Sequence, residues 1–415
     1  MGLGALVLTP QMVGCADTPE DENPGPGGLG EITFRVLKGP FVQFIDEDTA
    51  VLRFETRTDH EVPVRVTRGG ETEETIASQS PTTLEYSRPT LGKDSIPDEK
   101  GVHILHEVVI PSLQSGERVA WAFDLSKDET LEGSFLAPVA RGEAFRFGWI
   151  ADTMFPFGQE NITRLAAAAP DLVIHGGDIV YDANIFDSWN SVLTAFRPVM
   201  SQSTFHLLVG NHEHESQDEY TQQYLRLFAN QGQRGDATNY FGLTFGGVRF
   251  LCLDSESGEF GDAESAQRQW LQAELEAARD DSDVREIIVA FHRPPYTLSK
   301  HAPGSTTVRD ALHALYLEFG VRLVLCGHVH AYERFIVDGV TYLVDGGGGA
   351  LLYDPDEDIP VLEETRPDDI TARQIASESY GISLIDFAAD GSFTLQRIQA
   401  DTGDVLERVE FPAPV

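Results

Sequence analysis

The sequence predicts a layered α/β domain preceded by an all-β sandwich. Two textures of the chain lead to that reading. From Ile32 to about Ala137, short runs of alternating apolar and polar residues are broken by polar turns, the pattern of a sandwich. After Gly142, apolar strand-like runs alternate with helix-like stretches, the pattern of an α/β fold whose loops are free to carry chemistry.

In the first part, Ile32–Leu37, Ala50–Phe54, Val62–Val66 and His106–Ile110 predict strands. From His106 to Trp121 the chain reads as a strand, a Leu113-Gln114-Ser115-Gly116 turn, and a second strand carrying an aromatic. This stretch resembles the fibronectin type III pattern, which implies a fibronectin type III-like all-β domain over residues 31–138. No titratable constellation lies in it, so a structural or positioning role fits best.

In the second part, residues 139–415, the predicted strands are Phe145–Ile150, Leu172–His175, Thr204–Val209, Val248–Leu253, Glu286–Phe291 and Val321–Cys326. The helix over Ala263–Arg279 carries Trp270, Leu271, Leu275 and Ala278 on one face. Further helices are expected over Ile185–Phe196, Gln217–Phe228 and Val308–Phe319, and the closing strands Gly381–Asp386, Phe393–Gln399 and Val405–Val409 complete a sheet edge.

Composition narrows the function. Thirty Lys and Arg against 67 Asp and Glu give a formal net charge of -37. Such a surface repels nucleic acid and anionic membrane, so no nucleic-acid binding is expected. An enzyme of this charge acting on an anionic substrate needs a local positive centre, which metal ions supply. Cys252 and Cys326 lie in apolar runs and read as inert core thiols. Cys15 differs: Met12-Val13-Gly14-Cys15 follows a short apolar run and precedes an acidic Pro/Gly stretch. That arrangement is similar to a bacterial lipoprotein signal with a flexible tether over residues 1–30. It implies a lipid anchor through Cys15 and an exported protein, on the periplasmic face of the outer membrane or at the cell surface, with plain secretion as the alternative.

Metal-ligand residue types cluster directly after the apolar strands. They are Asp152; Asp178 and Tyr181 in Gly177-Asp178-Ile179-Val180-Tyr181; Asn211 and His212 in Gly210-Asn211-His212-Glu213; His292; and His328 and His330 in Gly327-His328-Val329-His330. In an α/β fold such strand ends converge on one rim. Two metals need a bridging carboxylate, which Asp178 suits. Imidazole and carboxylate suit iron, manganese and zinc, and the lack of a Cys ligand argues against a soft-metal site. Alternation across His328-Val329-His330 predicts an extended segment with both imidazoles on one side.

The ordered blocks Asp152, Gly177-Asp178-x-x-Tyr181, Gly210-Asn211-His212-Glu213, His292 and Gly327-His328-Val329-His330 resemble the calcineurin-like metallophosphoesterase pattern. Tyr181, three residues after Asp178, and the run from Gly327 to Arg334 are similar to the purple acid phosphatases in particular. The sandwich ahead of the catalytic part matches that layout too, so the resemblance covers roughly residues 32–400. It implies a metallophosphoesterase β-sandwich flanked by helices and a dinuclear centre of Fe(III) plus a divalent ion (Fe, Zn or Mn). Asp152, Asp178, Tyr181 and His330 would hold the trivalent iron; Asp178, Asn211, His292 and His328 would hold the divalent ion. His212 would contact the substrate phosphate, and His301, nine residues after His292, falls where the family often has a histidine that protonates the leaving group.

Departures from the pattern exist. The first block reads Ala151-Asp152-Thr153-Met154, and Met154 stands where the wider superfamily often has a His ligand, which favours the tyrosine-containing iron site. His175 is an extra upstream histidine, read as packing or support for the site. Gly346–Gly349 reads as a turn near the rim.

The implied reaction is hydrolysis of small phosphorylated substrates by a hydroxide generated at the metals, as a phosphomonoesterase. A phosphodiesterase or nucleotide hydrolase on the same metals is the alternative. An inactive surface-displayed binding protein is a third reading.

Overall fold

The computed structural model describes residues 34–84, 101–181, 189–215, 219–228, 239–257 and 260–414. Residues 1–30 with Cys15, the start of the strand expected at Ile32, and the first residues of the helices expected at Ile185 and Gln217 lie outside them.

The strands of the first part are β1 (Lys38–Asp46), β2 (Thr49–Thr56), β3 (Pro63–Arg68), β4 (Glu71–Ile76), β5 (Ser78–Leu84), β6 (Gly101–Ile110), β7 (Arg118–Asp124) and β8 (Thr130–Leu136). Phe34–Leu37 precede the first strand, which begins at Lys38. The second part holds β9 (Phe145–Ile150), β10 (Leu172–His175), β11 (Thr204–Leu207), β12 (Phe241–Phe245), β13 (Val248–Cys252), β14 (Glu286–Phe291), β15 (Leu323–Cys326), β16 (Tyr332–Val337), β17 (Val340–Asp345), β18 (Arg373–Ser377), β19 (Gly381–Phe387), β20 (Phe393–Gln399) and β21 (Val405–Phe411).

These strands form three sheets. The largest runs β21-β20-β19-β9-β10-β11-β1-β2-β6-β5, so the first and second parts of the chain share it. The join is the parallel pairing of β1 with β11 at Val42 and Thr204. A seven-stranded sheet runs β12-β13-β14-β15-β17-β16-β18, and a four-stranded sheet β4-β3-β7-β8. The four-stranded sheet packs on β1, β2 and β6 through Phe44, Leu52, Phe54, Val64, Trp121 and Phe135, which makes the all-β region a sandwich. The three C-terminal strands complete the edge of the largest sheet, as expected.

The two large sheets face each other. Phe147, Trp149 and Ile174 of one meet Phe250, Ile288 and Leu325 of the other, with the rings of Phe147 and Phe250 5.0 Å apart. Helices cover both outer faces. Gln159–Ala168 and Trp189–Ala195 bury Ile162, Leu165, Val192 and Leu193 against β10 and β11. Ala266–Asp280 and Thr306–Glu318 bury Leu271, Leu275, Leu312 and Leu315 against β13, β14 and β15. The result is a helix–sheet–sheet–helix stack, in which buried parallel strands read as continuous apolar runs.

The first of those two helices begins three residues later than its periodicity suggests. Ser265 caps it, its Oγ accepting from the Arg268 N–H at 3.2 Å, so Ala263 and Glu264 lie ahead of the helix. Trp270 is half-buried and lies against Tyr240 with ring centres 5.0 Å apart. Cys252 and Cys326 are free, buried thiols pushed up by burial, in line with inert core residues.

Candidate metal centre

Because β9, β10 and β11 run parallel in one sheet, and β13, β14, β15 and β17 run parallel in the other, their C-terminal ends meet at one rim. Asp152 follows β9, Asp178 follows β10, Asn211 follows β11, His292 follows β14, and His328 and His330 follow β15. The turns there are tight. A Cβ on Gly327 would stand 2.7 Å from Oδ2 of Asp152, and one on Gly210 would collide with the Asp178 carboxylate.

Backbone strain gathers at this rim. Asp152 (φ 57°), Met154 (φ 37°), Asp178 (φ 53°), His301 (φ 76°) and His328 (φ 69°) all adopt left-handed conformations that non-glycine residues seldom enter. Each costs about 1–3 kcal/mol and persists only where the surroundings enforce it, a hallmark of functional sites.

Two groups of side chains result. In the first, Oη of Tyr181 donates to Oδ1 of Asp152 at 3.2 Å and lies 3.3 Å from Nε2 of His330. Nε2 of His330 is 3.5 Å from the same Asp152 oxygen. Nδ1 of His330 lies 2.8 Å from the Leu351 carbonyl, which fixes it as donor and leaves Nε2 for the site. In the second group, Nε2 of His292 is 3.3 Å from both Oδ2 of Asp178 and Oδ1 of Asn211, while its Nδ1 lies 2.8 Å from the Gly176 carbonyl. Asp178, His292 and His328 each offer a ligand atom, all within 4.8 Å of one another, and all three residues are buried.

The groups are tied together. Oδ1 of Asp178 accepts the His212 backbone N–H at 2.8 Å, and the His212 ring lies 4.2 Å from that of Tyr181. Oδ2 of Asp152 accepts the His328 N–H at 2.8 Å. Carboxylates, an amide oxygen, imidazoles and a phenol converging here form a donor set suited to iron, zinc or manganese.

The charges are balanced around the same point. Burial works against ionisation of Asp178, but His292 and the His212 contacts hold its carboxyl below the ordinary range. Burial also disfavours charge on His292, yet Asp178, Asp152 and Glu256 push it up to about 10. Its second ring proton then lies between Asp178 and Asn211, where a cation would sit. Burial, with His292 and Arg293, pushes His328 down to about 2 and leaves it a neutral acceptor.

All nine residues singled out from the sequence fall at this rim. His301, the least constrained by its motif, has its ring 4.6 Å from that of His328. The segment His328-Val329-His330 is not extended, however. His328 is left-handed, and i to i+2 backbone bonds join Val329 to Gly327 (2.8 Å) and Ala331 to Val329 (2.7 Å). The two imidazoles reach different ligand groups by this pair of tight turns and not by strand alternation. His175 is a buried support: its Nε2 lies 2.6 Å from the Thr153 hydroxyl and its ring packs on Phe196. Gly346–Gly349 form a turn at the rim, where Asn161 donates to the carbonyls of Gly347 and Gly348 at 3.1 and 3.0 Å and the Gly348 N–H bonds the Ala151 carbonyl.

Sequence reasoning missed several supporting groups. The buried Glu213 carboxylate accepts the backbone N–H groups of Asp178 (2.8 Å), Ile179 (2.9 Å), Val180 (3.3 Å) and Gly210 (2.8 Å), fixing two ligand loops at once. Glu333 accepts from Thr297 Oγ1 at 2.5 Å and the Leu298 N–H at 3.1 Å, holding the loop that carries His301. Glu213 ends one block already singled out and Glu333 lies within another, and that position was their only signal. Tyr353, stacked on His330 with ring centres 4.3 Å apart, had none.

Residues 145–332 match the family model described as calcineurin-like phosphoesterase. Purple acid phosphatases are among the proteins this chain is similar to. Purple acid phosphatase 22 of Arabidopsis thaliana is 30% identical over 174 residues, 40% of this chain and 39% of that protein. Purple acid phosphatase 15 of the same plant is 27% identical over 236 residues, 46% of this chain and 42% of that protein. The matched region thus spans about two fifths of these relatives' length. Among solved structures, purple acid phosphatase PPD1 from yellow lupin (Lupinus luteus) seeds shares the fold, with a TM-score of 0.72 at 17% identity over 92% of this chain and 74% of that one.

Proposed function

We propose that this protein is a dinuclear-metal phosphate-ester hydrolase of the purple acid phosphatase type, acting on small phosphomonoesters. The observation that carries the reading is the adjacency of the two ligand groups, with Asp178 facing His292 on one side and bonded to His212 on the other. Asp152, Asp178, Tyr181 and His330 would hold an Fe(III) ion, and Asp178, Asn211, His292 and His328 a divalent ion (Fe, Zn or Mn). When bound, the pair of cations would acidify water, draw in the phosphate oxygens and neutralise charge as the ester breaks.

The chain's own groups do the rest. The carbonyls of Gly176 and Leu351 set the tautomers of His292 and His330. Glu213 holds the Asp178 and Gly210 turns in register. His212, with its side chain 29% exposed, stands at the mouth to donate to phosphate, and His301 stands beside His328 to give a proton to the departing oxygen. The all-β region, proposed as fibronectin type III-like, supports the catalytic sheet through β1. Lipid attachment at Cys15 and export remain part of this proposal on the sequence pattern alone, and mass spectrometry of the membrane fraction checks them.

Hydrolysis of an aryl phosphomonoester and the matching diester by protein loaded with iron and zinc tests the reading. Monoester turnover is expected to dominate. Equal turnover, or a preference for the diester, favours a phosphodiesterase. No turnover of either by protein holding two metals per chain would sink the proposal.

A further inference from the structure

Arg293 directly follows His292 at the end of β14. Its backbone N–H donates to Ser255 Oγ at 2.9 Å, and its Nε reaches both carboxylate oxygens of Glu256 at 3.0 and 2.9 Å. The Glu256 side chain is only 4% exposed and that of Arg293 is 34% exposed, so a buried anion anchors a guanidinium that reaches towards solvent. Held this way, Nη1 stands 3.1 Å from Nε2 of His328.

A guanidinium has no lone pair, so Nη1 is the donor here and Nε2 the acceptor. That nitrogen is the atom a cation would need. A cation on Nε2 would take that lone pair and displace Nη1 from it, while Glu256 still holds Nε, so the displaced donor would stand beside whatever anion the cation attracts. Arginine suits a phosphate oxygen in geometry and charge. In a chain of net charge -37, such a cation at the mouth counts.

We propose that Arg293 grips a phosphate oxygen of the substrate and selects monoesters over diesters, with Glu256 as its positioning residue. This rests on the phosphohydrolase reading. The selection would follow from counting oxygens. A phosphomonoester has three non-bridging oxygens and a diester two; were a pair of cations to take one each, only the monoester would keep an uncoordinated one for Arg293.

The test uses the full chain loaded with metal, as wild type, Arg293→Ala, Arg293→Lys and Glu256→Gln. Metal content, calorimetric binding of inorganic phosphate, and kcat/KM for an aryl monoester and its diester are measured. Arg293→Ala should keep two metals, weaken phosphate binding by about tenfold or more, and lower monoester kcat/KM by about ten- to a hundredfold, with the diester changed much less. Arg293→Lys should recover part of the phosphate affinity, and Glu256→Gln should lie between wild type and Arg293→Ala. Unchanged phosphate affinity, an equal fall for both esters, or loss of metal from Arg293→Ala would overturn the assignment. Wild type that holds two metals yet neither binds phosphate nor cleaves either ester would instead remove the phosphohydrolase reading beneath it.

Discussion

Asp152 serves three neighbours with its two oxygens: Oδ2 accepts the His328 backbone N–H at 2.8 Å, while Oδ1 faces Tyr181 and His330. One carboxylate thereby sets where the first ligand group stands relative to the turn carrying the second. Tyr181 is the phenol of that first group. Tyr181→Phe should bind iron but lose any visible charge-transfer absorption, with its unfolding midpoint close to wild type. An absorption spectrum of iron-loaded protein decides it; a band surviving the substitution would remove Tyr181 from the metal.

Glu213 is buried and receives four backbone N–H groups from two loops. Glu213→Gln puts an amide NH2 where acceptors are needed. It should destabilise the fold by about 2–4 kcal/mol and reduce the metal held per chain. Urea unfolding and metal analysis read both effects, and full metal content at unchanged stability would contradict this role.

Metal affinity should depend on pH. His292 in the metal-free protein keeps its second ring proton up to about 10, whereas His328 is already neutral above about 2. A cation entering the second ligand group must therefore displace a proton from His292. Zinc affinity should rise about tenfold per pH unit between pH 5 and 8, and calorimetry in buffers of differing ionisation enthalpy should record proton release. An affinity flat across that range would contradict the buried His292–Asp178 pairing.

Stability should depend on pH through His106, far from the centre. Burial pushes its pKa down to about 4, and its ring lies flat on Phe54 with centres 4.7 Å apart. The unfolded chain therefore takes up the proton first. Stability is fully present above pH 6.5 and is lost as pH falls towards 4, by on the order of 2 kcal/mol from this group. Urea titrations at pH 7.5 and 5 should show that loss shrinking in His106→Gln; an identical pH dependence would refute the assignment.

Much of the centre was legible because each ligand type directly follows an apolar run, and parallel strands deliver such positions to one rim. Phe145–Ile150, Leu172–His175 and Glu286–Phe291 were predicted to the residue for the same reason: largely buried, they read as mainly apolar runs. The path of His328-Val329-His330 was not legible, since three residues cannot distinguish a strand from two tight turns set by Asp152. The supporting groups were hidden for a related reason. Tyr353 acquires its contact from His330, distant in the chain, and nothing in its own neighbourhood marks it.

The parallel seam between Val42 of β1 and Thr204 of β11 makes the amino-terminal region part of the catalytic scaffold's interior. Phe41 stacks on Phe228 at 5.0 Å and Arg197 donates to the Gly39 carbonyl at 2.9 Å, which stitch the same border. Excising residues 34–138 would bare β11 as an open, sticky margin and strip Phe41 from the ring of Phe228. Grafting only residues 145–332 onto another carrier should yield insoluble material, although that span contains every ligand.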